Sequence, residues 1–403
     1  MTDNFTVTII ANKINKSQGG SNFSLDLIAR TLVERGHDVN VVTLNLSSGN
    51  KPFPDRKYDV FERSVSKHSL LTFRPIVNVF NEWEAQTDVY HVFSPLIAPY
   101  AGKYRRDGGE TPVLCRLNQY SMFCSNVAKM DGNCHQDCAA FDRLRHSSDK
   151  VSMQLIKTPL FILQSDIFPR LANRVDKYYA VSPRVREIYS EFGIDESRIE
   201  SIPNFYNPEL SPKNFERSPD SGELDILYVG RLSDEKGVSY LINSTQYLDD
   251  PVSLHIVGDG PKRSQLETLA TEVETSSRII FHGFVENDEL HKYYTMADVF
   301  VLPASWPEPF SRTLLEAMQF GCALIVTDTG GSAWAVDEAG IVVPRNNSTE
   351  LSRSINNLSQ DRNYLKQLSC RSEERAQTFS PDSVISQIIS LKKDIIRYNN
   401  QQR

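Results

Sequence analysis

At 403 residues the chain is too long for one ordinary hydrophobic core and suits two domains of roughly 100–200 residues each. With 40% hydrophobic and 24% charged residues it reads as folded nearly throughout, and a formal charge of -7 excludes a broad electrostatic grip on nucleic acid. No stretch reaches the ~20 consecutive apolar residues that cross a bilayer, and the opening MTDNFTVTIIANKINKSQGG has too short an apolar run for a secretory signal, so a cytoplasmic protein is expected.

Residues 5–10 alternate as a strand, 17–21 form a Gly-containing loop, and Phe23, Leu27, Ile28 and Leu32 give the stripe of a helix that Gly36 ends before a strand at 39–42. This is a βαβ unit, whose parallel strands need a crossover helix. Further buried strands are expected at 89–93, 112–115 and 177–181. The stretch 207–222, NPELSPKNFERSPDSG, collects Pro, Ser, Asn and charge without apolar periodicity and reads as a linker. Beyond it strands are expected at 225–229, 253–257, 278–281, 299–302 and 323–326, with helical spacing at 264–272 and 288–296. The division is therefore 1–206 and 223–379, with a final helix at 380–403 spaced by Val384, Ile388, Ile389, Leu391, Ile395 and Ile396. The fold class is α/β, two doubly wound halves facing one another across a cleft, and ligands of such sheets bind at the carboxyl ends of the strands.

Two segments carry chemistry. GRLSDEKG (230–237) follows a predicted strand and sets Arg231 and Lys236 in a loop entering a helix, where charge and backbone N–H groups can surround a diphosphate. The alternative is a solvated loop paired with Asp234 and Glu235. SWPEPFSRTLLEAM (305–318) also follows a strand; Ser311 suits an N-cap, and Leu314, Leu315 and Met318 form a core-facing stripe. Glu308 and Glu316 would stand about 10 Å apart, too wide for a retaining hydrolase's carboxylates at ~5–5.5 Å. They suit opposite ends of one polyhydroxylated ligand; the alternative for either is ordinary surface charge on a helix, the default for a lone glutamate.

The order GRLSDEKG, HIVGDGP, FHGFV, ADVFVLPASWPEPFSRTLLEAM, GCALIVTDTGG and GIVVP resembles the retaining glycosyltransferases of family 4, glycosyl transferases group 1, which have the two-Rossmann GT-B fold. The resemblance is strong over 225–344 and looser but colinear earlier, in QGGSNFSLDLIARTLVERGHDVNVVT, AVSPRVREIY and SIPNFYN. It implies that Arg231 and Lys236 contact the diphosphate of a nucleoside diphosphate sugar, that Glu316 holds the ribose, and that Glu308 binds the transferred sugar. Donor contact extends by the same resemblance to Gly19, Gly20, Gly258, Phe310, Ser311, Arg312 and Thr313, with Asn118 and Tyr120 on the acceptor side; Arg231, Lys236 and Glu308 are the catalytic candidates. The implied reaction is sugar transfer to an acceptor hydroxyl of a glycan or lipid-linked molecule, with retained configuration and no cofactor beyond the donor. Without an Asp-x-Asp motif, a metal-bridged diphosphate grip is not indicated.

The chain departs from the family at three places: Ser311 stands for the usual Gly, Trp334 for a glutamate, and Asn118-Gln119-Tyr120 for His-Asp-Tyr. An amide at 118 hydrogen-bonds but carries no proton at neutral pH. Cys115, Cys124, Cys134 and Cys138, with His135, could hold a structural zinc or be reduced buried thiols. The segment 153–163, flanked by Lys150, Arg170, Arg174 and Lys177, reads either as domain packing or as peripheral contact with the cytoplasmic face of a membrane. His91 lies in a buried-strand pattern and reads as a core histidine. Two other functions share the fold, a nucleotide-sugar epimerase and a non-catalytic sugar-nucleotide-binding subunit.

Overall fold

The computed structural model describes residues 4–14, 19–45, 53, 55–65, 72–123, 158–159, 162–210 and 222–402. Its chain forms two compact units, Met1–Pro203 with Asp382–Arg403, and Asn204–Pro381. The change of unit therefore falls at Pro203, ahead of the polar 207–222 segment, of which residues 211–221 lie outside the described residues.

In the first unit seven strands form one parallel sheet: β1 (Thr6–Ala11), β2 (Asp38–Thr43), β3 (Asp59–Glu62), β4 (Val89–Val92), β5 (Val113–Leu117), β6 (Lys177–Ala180) and β7 (Ile199–Ser201), in the order 3-2-1-4-5-6-7. The second unit has six parallel strands: β8 (Leu224–Val229), β9 (Val252–Val257), β10 (Arg278–Gly283), β11 (Val299–Leu302), β12 (Ala323–Thr327) and β13 (Gly340–Val343), in the order 10-9-8-11-12-13. Both orders double back once, between β1 and β4 and between β8 and β11. Such a reversal opens a crevice at the carboxyl ends of the two strands where a ligand can enter. Strands covered on both faces read as continuous apolar runs, as in VFVL of β11 and ALIVT of β12, buried throughout.

Of the four edge strands only β10 follows from the periodicity; β3, β7 and β13 escape it. β3 is DVFE, four residues with charged ends, β7 has three residues, and β13 is half-exposed. Edges are commonly short and polar because an exposed apolar edge recruits other strands. The helix Pro381–Gln402 is held to the first unit by Arg105 and Glu110, which hydrogen-bond Asn399 at 3.0 and 2.9 Å. Its buried stripe is Val384, Ile385, Ile388, Lys392 and Ile395. Lys392 thus takes the place that the spacing gave to Leu391, and it is fully buried. His91 is fully buried as expected, with Nε2 2.9 Å from the Tyr179 hydroxyl.

Candidate active site

In the second unit the loops after β8, β9, β11 and β12 are tied backbone to backbone. Gly230 N–H donates to Val257 O at 3.0 Å, Leu232 N–H to Asp259 O at 3.0 Å, Ser305 N–H to Glu235 O at 2.9 Å and Gly331 N–H to Glu308 O at 2.7 Å. Two of these approaches demand glycine. Gly258 has φ +134° and a Cβ there would stand 1.9 Å from Gly230 O, while Gly330 has φ +64° and its Cβ would stand 2.0 Å from Glu308 O. Side chains rarely adopt such backbone and nothing in the neighbouring main chain can yield. The loops are consequently one pre-set floor at the switch point.

On that floor Arg231 is exposed, its carbonyl fixed by the buried Tyr228 hydroxyl at 3.0 Å. Lys236 Nζ lies 2.5 Å from Glu308 Oε2, which also accepts Trp306 Nε1–H at 2.8 Å. The two charged side chains are 20% and 10% exposed. The candidate diphosphate lysine and the candidate sugar carboxylate are therefore paired with one another. Trp306 was not singled out beforehand. Its nearness to Glu308, two residues on, was the available signal.

The helix Arg312–Gln319 starts where Ser311 caps it, Oγ accepting from Leu314 N–H at 3.4 Å and meeting Thr313 Oγ1 at 3.0 Å. Arg312 and Glu316, one turn apart, are both buried. Glu316 Oε2 accepts the Tyr294 hydroxyl at 2.8 Å. Burial raises the Glu316 carboxyl above its ordinary range, against the pull of Arg312 and of the Tyr294 bond, and burial lowers the Arg312 guanidinium, against the pull of Glu316. Desolvation leads in both, so each is a partner the other needs. No spacing in the chain signals Tyr294, which reaches Glu316 from the helix His291–Met296.

Phe310 is buried against Trp334 and Phe379, ring centroids 5.8 and 5.5 Å away. Trp334 thus supplies an aromatic wall to this loop, and the residue is 36% exposed.

The remaining candidates stand in the first unit. Gly19 and Gly20 open the helix Gly19–Glu34, where Ser24 Oγ donates to Gly20 O at 2.9 Å, and Asn118, just past β5, donates from Nδ2 to Ser21 Oγ at 2.9 Å. Asn118 and the glycine-led helix start are therefore one neighbourhood, at the carboxyl ends of β1 and β5. Asn118 Oδ1 is buried with no partner among the described residues. Tyr120 does not join them. It is fully buried beside Tyr189, whose ring lies 6.4 Å away, and offers an acceptor no surface. Cys115 is likewise buried in β5, its thiol pushed up by desolvation. Cys124, Cys134, Cys138, His135 and most of 153–163 lie outside the described residues, among which no group of three or more His, Cys, Asp or Glu is placed to hold a metal. No helix among the described residues is long and apolar enough to cross a membrane.

Two parallel doubly wound sheets with this loop floor define the GT-B class, and solved structures agree over the whole chain. Sucrose-phosphate synthase of Thermosynechococcus elongatus matches with a TM-score of 0.74 at 19% identity, covering 98% of this chain and all of the other. Anabaena HepE in complex with UDP-glucose matches at 0.70 and 18% identity, covering 97% of this chain and all of that one. Residues 18–210 match the family described as glycosyltransferase family 4 and residues 211–375 that described as glycosyl transferases group 1. The chain belongs to this family of glycosyltransferases. An uncharacterized glycosyltransferase of Methanocaldococcus jannaschii is 37% identical over 157 residues, 36% of this chain and 40% of that relative.

Proposed function

We propose that the chain transfers a sugar from a nucleoside diphosphate sugar to an acceptor hydroxyl with retention of configuration. The observation that carries the reading is the convergence of Arg231, Lys236, Glu308 and, one helix deep, Glu316 on the switch-point loops of the second unit. Arg231 and Lys236 meet the diphosphate, joined by the N–H groups that open the helix Arg312–Gln319. Glu316, steadied by Tyr294, accepts the ribose hydroxyls, and Glu308 accepts those of the sugar. As the bond from C1 to the diphosphate oxygen breaks, the same cations neutralise the charge that grows on the leaving group, the term that lowers such barriers most. The acceptor oxygen bonds to C1, and its proton passes to the departing diphosphate on the same face. That route suits a chain whose position 118 is an amide. A glycan or lipid-linked acceptor and a cytoplasmic location belong to the same reading.

The test is nucleoside diphosphate release from a panel of nucleotide sugars, with and without acceptors, followed by proton NMR of the product's anomeric coupling. Selective release that needs an acceptor and keeps the donor's anomeric configuration supports the reading. Donor conversion without acceptor would favour an epimerase, and an inverted product would remove the retaining assignment.

A further inference from the structure

A cation opens the donor helix where electrostatics disfavour one. Arg312 is the first residue of the helix Arg312–Gln319, at the positive end of its dipole, and is only 8% exposed. Burial presses against its charge, and Glu316, followed by Tyr294, pulls the other way. Such a placement adds nothing to a core by itself.

The guanidinium is seated on residues 204–207, where the second unit begins. Arg312 Nη1 donates to Phe205 O at 3.3 Å. The residues on either side hold the same helix: Asn204 Nδ2 donates to Phe310 O at 3.4 Å, and Gln319 Nε2 donates to Asn207 O at 3.1 Å. Tyr206 N–H donates to Phe379 O at 3.2 Å, and the Phe379 ring lies against Phe310. Asn204, Phe205 and Asn207 are all buried. Residues 312, 316 and 319 share one helix face by their spacing, so Glu316 stands between the two side chains that this segment holds. We infer that Arg312 is a positioning residue for the donor: seated on Phe205 O, its guanidinium balances the charge of Glu316 and keeps that side chain a carboxylate for the ribose, without touching the donor itself. The inference rests on the reading of Glu316 as the ribose acceptor, and it makes 204–207, outside both chemical motifs, part of the donor site.

The groups that bear on Glu316 are Arg312 on its own helix and Tyr294 on the helix His291–Met296. Tyr294 stays a phenol, pushed up by burial first and by Glu316 second, so its hydroxyl goes on donating to Oε2. A proton on Glu316 therefore enters at Oε1, the oxygen left for a ribose hydroxyl. Lys236 and Glu308, in the loop floor, are paired with one another. Burial raises the Glu316 carboxyl, and Arg312 is the larger of the two influences that lower it, so loss of the guanidinium sends it higher. A neutral carboxyl gives the ribose an ordinary hydrogen bond where a carboxylate gives a charge-assisted one, roughly twice as strong.

Thermal unfolding without ligand reads the link between the two side chains. Glu316, raised in the folded chain, contributes stability that is complete below its ordinary 4.5 and is lost as pH rises through the folded value. Between pH 5 and 8 the unfolding midpoint should fall further in Arg312→Met than in wild type, and adding Glu316→Gln should abolish that excess. Asn204→Ala with Gln319→Leu removes both side-chain bonds beside Phe205; exchange of the Tyr206 amide should quicken and the same excess should appear in weaker form. This pair carries the comparison if Arg312→Met does not fold. The second readout is affinity for UDP-glucose, whose diphosphate, esterified at both ends, does not titrate over this range. Affinity in Arg312→Met should rise with pH around a half-point at least one unit above that of wild type, a tenfold change in proton affinity. An excess fall that is absent or survives Glu316→Gln would overturn the inference. So would an affinity lowered equally at every pH, the mark of direct contact between Arg312 and the donor. Unchanged Tyr206 exchange, or no excess, in Asn204→Ala with Gln319→Leu would remove Phe205 as the seat. The expected unfolding pattern in a chain that binds neither UDP-glucose nor any other nucleotide sugar of the panel would uphold the hold of Arg312 on Glu316 and reject the donor reading.

Discussion

Replacing Lys236 by Met separates what this lysine does for the fold from what it does for the donor. Its ammonium sits 2.5 Å from Glu308 Oε2, with both side chains mostly covered, and Trp306 Nε1–H donates to that oxygen at 2.8 Å. Loss of the cation leaves a largely buried carboxylate short of a partner, a cost of about 1–3 kcal/mol to the second unit. Donor binding loses a charge-assisted hydrogen bond of about 1.5–3 kcal/mol, roughly tenfold to a hundredfold in affinity. The uncompensated Glu308 would add repulsion of the diphosphate in the same direction. Adding Glu308→Gln to Lys236→Met removes the stranded charge, so stability should return towards wild type while affinity does not. Calorimetry with UDP-glucose at fixed salt, beside thermal unfolding of wild type, Lys236→Met, Glu308→Gln and the double variant, reads both effects. Affinity of Lys236→Met within twofold of wild type would refute the diphosphate role. Strictly additive stabilities would refute the coupling of Lys236 to Glu308.

Glu316→Gln keeps the side-chain shape and the Tyr294 contact but gives up the negative charge beside Arg312, so donor affinity should fall about tenfold or more with the unfolding midpoint lowered; equal affinity would remove the ribose role. Gly330→Ala puts a Cβ 2.0 Å from Glu308 O, and should disturb donor binding more than the fold of β11 and β12, which exchange protection of those strands compared with turnover would reveal. Lys392→Met should stabilise the chain at pH 7, since the amine is fully buried without a hydrogen-bond partner among the described residues and burial depresses its affinity for a proton below the ordinary 10.5. The unfolded chain binds that proton and the folded one resists it, so wild-type stability should rise with pH from the depressed native value up to 10.5, and the variant should lose this slope; a denaturant series at pH 7 and 9.5 that shows no difference in slope would mean the amine has a partner.

The buried strands were legible because parallel strands covered on both faces are continuous apolar runs, and β8, β9, β11 and β12 lie where such runs stand. The glycines of the floor and the acid-rich loop were legible as motifs. What periodicity lacked was pairing. It missed β3 and β7, whose residues are charged or too few, and it set Leu391 in a stripe where the structure buries Lys392. Contacts between distant segments were equally silent: Tyr294 with Glu316, Asn118 with Ser21, and His255 with His282 each join elements that spacing treats as separate. Tyr120 shows the converse, a motif position whose side chain the fold has closed off with Tyr189.

The most direct test of the central claim is calorimetric binding of a panel of nucleotide sugars to wild type and to Arg231→Ala, whose exposed guanidinium has no evident structural duty. One donor bound selectively by wild type, and at least tenfold more weakly by a folded Arg231→Ala, is the predicted result. A folded wild type that binds none of them, or a variant that binds as well as wild type, would contradict the account.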